Sequence, residues 1–156
     1  MTVSPLIQSL HGVGFLSAVV LIAEMGSFGL FSSPKKLYAY FGLDPGVNDS
    51  GKLKGDRVHM SKRGSSLARR ILHMIAINNL KVDKKTKVPV NPVIYDYYIH
   101  KCTSKKKIVA VGAIMHKICN IIFAMLRDNK PFEIITPEEH CKRYAAEHPE
   151  SVNTVT

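Results

Sequence analysis

The sequence predicts an all-α fold, on two observations. Four pairs, Ser4-Pro5, Ser33-Pro34, Asn91-Pro92 and Thr136-Pro137, set a capping side chain directly before a proline whose fixed φ suits the first helical turn. Further along, apolar residues recur at Val111, Ile114, Met115, Ile118, Ile121, Ile122 and Met125, a sustained spacing of three and four that belongs to a helix with one buried face. With 46% hydrophobic and 22% charged residues, the 156-residue chain has ordinary globular material for one domain.

Taken in order, Ser4-Pro5 starts a short helix carrying Leu6, Ile7 and Leu10. After His11-Gly12-Val13-Gly14 a second helix runs through Ala18, Leu21 and Met25 and stops at Gly26. Ser33-Pro34 opens a third, which carries Leu37, Tyr38, Tyr40 and Phe41 and ends at Gly42; Tyr38 and Tyr40 are not read as a base-stacking pair. Turn residues are dense in Asp44-Pro45-Gly46 and Asn48-Asp49-Ser50-Gly51, so 43–64 is expected to be a long loop, with a short hairpin suggested by the alternation at Val58 and Met60. Gly64-Ser65-Ser66 introduces a fourth helix, about Leu67 to Lys81, with Leu67, Ile71, Leu72, Ile75 and Leu80 as its buried stripe and Arg69, Arg70 and His73 on another face. The lysine-rich segment 82–90 reads as solvated, with contact to a nucleic-acid backbone as the alternative. Asn91-Pro92 caps a fifth helix, and the sixth, about Lys105 to Arg127, is expected to be the central core helix. In the seventh, Thr136 and Glu139 have capping-box spacing.

The charge balance is not ordinary. Lys and Arg number 22 against 12 acids, giving a formal charge of +10 and a pI near 9.6, the footprint of a nucleic-acid or other anionic partner. Three widely spaced cysteines offer no disulfide framework and no CxxC metal signature, as expected of reduced thiols in a cytoplasmic setting. The seven histidines show no metal-ligand spacing beyond the two-residue pairing of His116 with Cys119, so no metal site is assigned. The apolar run 13–23 is too short to span a bilayer, and 108–126 is interrupted by His116, Lys117 and Asn120, so no membrane association is expected.

Two stretches carry candidate chemistry. Two helices joined by Gly12-Val13-Gly14, with the small Ala18 four positions on, resemble the helix-hairpin-helix motif, in which glycines let a phosphate approach backbone N–H groups at a helix start. The same glycines serve equally as a tight inter-helix turn. The second stretch, 42–70, places a Ser-Gly pair, Ser50-Gly51, ahead of Lys52, Lys54, Arg57, Lys62, Arg63, Arg69 and Arg70. A hydroxyl can attack a phosphodiester and conserve the bond as a phosphoserine link, and surrounding guanidinium groups stabilise the charge that develops on the phosphoryl oxygens. Composition alone does not choose Ser50 over Ser61, Ser65 or Ser66, and a Ser-Gly pair in a loop also makes a plain turn.

The order Gly12-x-Gly14, Ala18 and Glu24, then Phe31-x-Ser33 to Leu37, Ala39-Tyr40, Gly42-Leu43-x-Pro45, Ser50-Gly51, Gly55, Ser61-Lys62-Arg63-Gly64, Leu67 and Arg69-Arg70-x-Leu72 resembles the C-terminal domain of the insertion-sequence 110/116/902 transposases, relatives of the Piv-type DNA invertases. The resemblance spans residues 6–127. It implies a DNA recombinase whose serine attacks a strand to form a phosphoserine intermediate, and Ser50 is the matching position. It also implies an N-terminal RuvC-like domain whose acidic residues hold Mg²⁺, and a structured guide RNA. The 156 residues begin just before the hairpin motif and do not include that acidic domain, so the chain is expected to be a piece of a longer protein or a truncated open reading frame, catalytically incomplete alone and without a cofactor of its own. Ser65 stands where the family commonly has Asn, a change expected to touch a local cap or turn and not the chemistry.

The resulting expectation is one domain, 1–150, comprising a helix-hairpin-helix at 5–26, a basic catalytic loop at 43–64 and a helical bundle at 65–148, with a disordered tail at 151–156. DNA is the expected partner, with Gly12, Gly14, Lys52, Lys54, Arg57, Lys62, Arg63, Arg69 and Arg70 contacting nucleic acid, in a homo-oligomer in the prokaryotic cytoplasm. The competing classes are a non-catalytic nucleic-acid-binding module and an oligomerisation domain built on the long helix.

Overall fold

The computed structural model describes residues 3–45, 49–50, 53–54 and 60–147, and among them the architecture rests on seven α-helices. Helices α1 (Val3–Gln8) and α2 (Phe15–Met25) are joined by the glycine turn, and α3 (Pro34–Tyr40) follows a single 3₁₀ turn at Phe28–Leu30. The strands β1 (Asp49–Ser50) and β2 (Leu53–Lys54) form a minimal antiparallel hairpin, Asp49 opposite Lys54 and Ser50 opposite Leu53. Met60 bridges to Pro45 at the loop's base, while Val58, the other residue of the expected alternation, lies outside the described residues. Helices α4 (Ser66–Asn79), α5 (Pro92–Cys102), α6 (Lys107–Asp128) and α7 (Pro137–Glu147) complete the chain.

The helix starts fall where cap chemistry puts them. The hydroxyl of Ser33 accepts from the amide of Lys36, that of Ser65 from Ala68, the carboxamide of Asn91 from Ile94, and the hydroxyl of Thr136 from Glu139. Ser65 therefore does the job an Asn would do there, both being strong N-caps. The first helix differs: it starts at Val3, so Ser4 and Pro5 lie within its first turn instead of at a cap.

The core is built around α6. Its residues Ala110, Val111, Ile114, Met115, Ile118, Cys119, Ile122, Phe123 and Met125 are buried, and it packs against α1, α3, α4 and α5. By length and composition α6 could cross a membrane, but half of its apolar stretch is covered by the bundle. Burial of Cys119 pushes its thiol far above the usual range, leaving it without thiolate character. All three cysteines are free.

One expected core residue is not in the core. Leu67 is 44% exposed, and the buried stripe of α4 is Ala68, Ile71, Leu72, Ile75, Ala76 and Asn79. At about 100° per residue, Ala68 rather than Leu67 falls in line with Ile71, Leu72 and Ile75, and an alanine there lets the neighbouring backbone come close. Leu80 caps the helix and is half-buried. Helix α7 exposes every side chain described on it, and Arg143 ties it locally through Glu133 and Glu139 at 2.9 Å each.

The buried polar centre is Asn79. Its Nδ2 donates to the carbonyls of His11 at 2.6 Å and Ile75 at 2.9 Å, and its Oδ1 accepts from Asn91 Nδ2 at 3.2 Å. Asn78 beside it donates to the carbonyl of Gly12. The end of α4 thus holds both the glycine turn and the start of α5. Asn79→Ala strands the buried Asn91 amide and removes the bond to the His11 carbonyl, at a cost of about 1–3 kcal/mol for the unsatisfied buried group. The thermal midpoint followed by circular dichroism is expected to fall by roughly 3–10 °C.

Candidate nucleic-acid interface

The basic loop leaves the bundle through a tightly built stem. Gly42, at φ +70°, and Gly64 lie backbone against backbone: a Cβ on Gly42 would sit 2.5 Å from the Gly64 nitrogen, and one on Gly64 would overlap the Tyr40 oxygen. Neither position admits a side chain without moving main chain. Above this crossing Lys62 N donates to Gly42 O at 3.0 Å, Ser61 N donates to Asp44 O at 2.8 Å, and Pro45 bridges Met60. The Ser61 hydroxyl also donates a short hydrogen bond to the Asp44 carboxylate.

Two side chains tie the stem to helices. Arg69, in the first turns of α4, directs Nη1 at the carbonyls of Phe41 at 3.0 Å and Gly64 at 2.7 Å, clamping both sides of the crossing. His116, on α6, hydrogen-bonds through Nε2 to the carbonyl of buried Leu43 at 2.6 Å and stacks its ring on Tyr38 at 4.6 Å between centroids. The stem is thus fixed to the core helix and to α4 at once, and β1 and β2 extend the chain beyond it.

The sequence-identified residues of the basic stretch fall into four groups. Ser50 and Lys54 are described in their backbone, as members of the hairpin, while Lys52, Arg57 and the tail 151–156 lie outside the described residues. Lys62, Arg63 and Arg70 are exposed at the stem and at the start of α4. Lys62 sits at φ +55°, a left-handed conformation that costs a non-glycine residue about 1 kcal/mol or more. Arg69 is half-buried and engaged with the stem, so it positions the loop whatever else it touches.

At the glycine turn the two glycines separate. Gly12 is required by the fold: its φ is +81°, and a Cβ there would lie 2.6 Å from Asn78 Cβ. Gly14 has ordinary extended backbone, and a Cβ would meet nothing within 4 Å. It precedes α2, whose N-terminus has no side-chain cap and is flanked by exposed Phe15 and Leu16. The carbonyls of His11 and Gly12 accept from Asn79 and Asn78, and the uncapped helix start contributes positive potential at the turn.

Sequence reasoning alone did not find Asp44, Ser61, His116 or Tyr38 as parts of the stem, nor the clamp role of Arg69. A signal was present: Gly42-Leu43-x-Pro45 and Ser61-Lys62-Arg63-Gly64, two short motifs far apart in sequence, are the two sides of one stem.

Comparison with known proteins bears on this geometry. The profile of the Transposase IS116/IS110/IS902 family matches residues 4–90, which hold the glycine turn, the stem and α4. The chain is 31% identical over 133 residues to the 42 kDa protein of insertion element IS900 from Mycobacterium paratuberculosis, covering 84% of this chain and 31% of that protein. It is 27% identical over 135 residues to the 43.6 kDa protein of insertion element IS110 from Streptomyces coelicolor, covering 86% and 31%. The pilin gene-inverting protein of Moraxella bovis is 27% identical over 128 residues, covering 82% and 38%. The chain therefore spans well under half the length of these relatives.

The stem separates two adjacent arginines that sequence treats alike. Arg69→Ala removes charge-assisted bonds to two carbonyls, worth about 1.5–3 kcal/mol, whereas an exposed Arg70→Ala is expected to stay within about 0.5 kcal/mol of the parent. Chemical denaturation of the two variants checks this: Arg69→Ala should shift the midpoint clearly and Arg70→Ala should not.

Proposed function

The chain belongs to the IS116/IS110/IS902 transposase family, and on that premise we propose that it is the DNA-binding part of a recombinase and supplies the attacking serine, Ser50. The Ser50 oxygen would bond to phosphorus as the phosphodiester bond to the leaving deoxyribose oxygen breaks; the hydroxyl proton is lost and the leaving oxygen becomes a DNA hydroxyl. Bond energy is held in the phosphoserine link until a DNA hydroxyl reverses the step, so strands are exchanged without net hydrolysis.

The observation that carries this reading is how the serines of the stretch are used. Ser61 is bonded to Asp44, Ser65 caps α4, and Ser66 is the first residue of that helix. Ser50 is the one serine of the four that lies in the hairpin, its backbone paired with Leu53, between the two sides of the stem in sequence. Lys62, Arg63 and Arg70, exposed around the stem, are suited to hold the phosphates beside it.

Gly14 supports the helix-hairpin-helix reading. The fold gives no reason for a glycine at 14, and an open Cβ position beside an uncapped helix start is what close approach by a phosphate requires. Such contacts would position the duplex without reading its sequence.

Among the described residues no three His, Cys, Asp or Glu side chains gather, so the Mg²⁺ of the family finds no ligand set in them. The acidic RuvC-like domain, the guide RNA and further copies of the protein are assigned to the complete assembly, acting on DNA in the cytoplasm.

Two substitutions test the reading. In the full-length protein, Ser50→Ala is expected to lower strand transfer by about 10³-fold or more while DNA affinity stays within about twofold; retained transfer sinks the nucleophile assignment. Gly14→Ala should leave the melting temperature nearly unchanged yet weaken duplex binding, and a variant that binds like the parent removes the hairpin from the interface.

A further inference from the structure

The lysine-rich segment between α4 and α5 is built, not merely solvated. Val82 bridges Pro89, Val90 N donates to Lys81 O at 2.9 Å, and Asp83 N donates to Val88 O at 2.9 Å. At the tip Asp83 folds the chain on itself. Its Oδ1 accepts from the amides of Lys85 at 2.7 Å and Thr86 at 2.8 Å, and its carbonyl accepts from Lys87 N at 3.0 Å. Those amides, Thr86 first, hold the Asp83 carboxyl below the usual carboxylate range.

Three features of this hairpin point outward. Lys84, Lys85 and Lys87 are exposed, and none pairs with an acid among the described residues. The one acid at the tip, Asp83, is taken up by backbone amides. Lys87 occupies a left-handed conformation at φ +59°, where glycine or asparagine would sit without strain, so the position carries a lysine against its backbone preference.

The hairpin is also fixed in place relative to the glycine turn. Asn91, at its base, is bonded to Asn79, and Asn79 in turn holds the carbonyl of His11. The lysine tip and the start of α2 thus hang on one buried pair of carboxamides. With no aromatic residue in 81–90, the tip offers nothing on which unpaired bases could stack.

We propose that the 81–90 hairpin is a docking element for the sugar-phosphate backbone of duplex DNA, engaged by Lys84, Lys85 and Lys87 as point charges and independent of sequence. The proposal rests on the DNA reading above. It adds a second contact that shares a rigid mount with the glycine turn and lies outside the Ser50 loop.

The test uses the full 156-residue chain and a fluorescein-labelled 30-base-pair DNA duplex of arbitrary sequence, with binding measured from 50 to 300 mM salt. The variant Lys84→Gln, Lys85→Gln, Lys87→Gly keeps the turn, because glycine accepts the left-handed position. Its slope of log affinity against log salt is expected to be shallower by roughly 2 to 3, and affinity near 100 mM salt to fall about 10- to 100-fold. The variant Lys84→Arg, Lys85→Arg, Lys87→Arg should keep the parent slope. Unchanged slope and affinity in the folded Gln/Gly variant overturn the proposal while leaving the DNA reading intact. Failure of the parent chain to bind the duplex overturns both. A loss seen with an RNA duplex of the same sequence but not with DNA overturns the assignment to DNA.

Discussion

Everything the candidate site can do depends on the backbone crossing of Gly42 and Gly64. Two segments more than twenty positions apart pass so closely that a methyl group on either would overlap main chain, and around that contact gather the Arg69 clamp, the Asp44–Ser61 pair and the His116 bond to Leu43. A long loop anchored at one soft point would sample many orientations. Anchored at a steric crossing that is hydrogen-bonded to α4 and α6 together, the residues leaving it start from a defined place and direction. That is the physical requirement for presenting a nucleophile on a loop.

Around the stem, the bundle divides the labour between apolar and polar contacts. The buried face of α6 and the stripe of α4 exclude water and fix the helices. The Asn79–Asn91 pair fixes something the apolar core does not specify: the register of two irregular segments, the glycine turn and the lysine hairpin, against the end of α4. Fully satisfied buried carboxamides of this kind are directional where apolar packing is not. One helix therefore carries the stem at its start and the two phosphate contacts proposed above at its end.

Local chemistry was legible in the sequence, and contacts between distant residues were not. Ser33, Ser65, Asn91 and Thr136 mark true helix starts because a cap needs only its own next three residues. The α6 pattern was readable because nine buried residues share one face. Leu67 misled because hydrophobicity said core while the helical phase, set by Ala68, put it outside. Asn79 looked like an ordinary polar residue near a helix end; its role depends on His11, 68 positions away. Likewise the family motifs flanking the loop identified positions without a reason, and the reason is that they face each other. The 82–90 segment read as solvated because lysine is usually so; the Asp83-x-x-Thr86 turn that orders it was present in the sequence but outweighed by the charge.

The central claim, that Ser50 bonds to DNA, is tested most directly by identifying the residue that carries the adduct. The full-length protein would be incubated with a DNA substrate nicked so that the cleaved strand diffuses away and traps the intermediate, digested with protease and nuclease, and the peptides sequenced by mass spectrometry. A nucleotide joined through its phosphate to the Ser50 oxygen is the predicted result. An adduct on Ser61, Ser65 or Ser66, or active protein that yields no serine adduct at all, would contradict it.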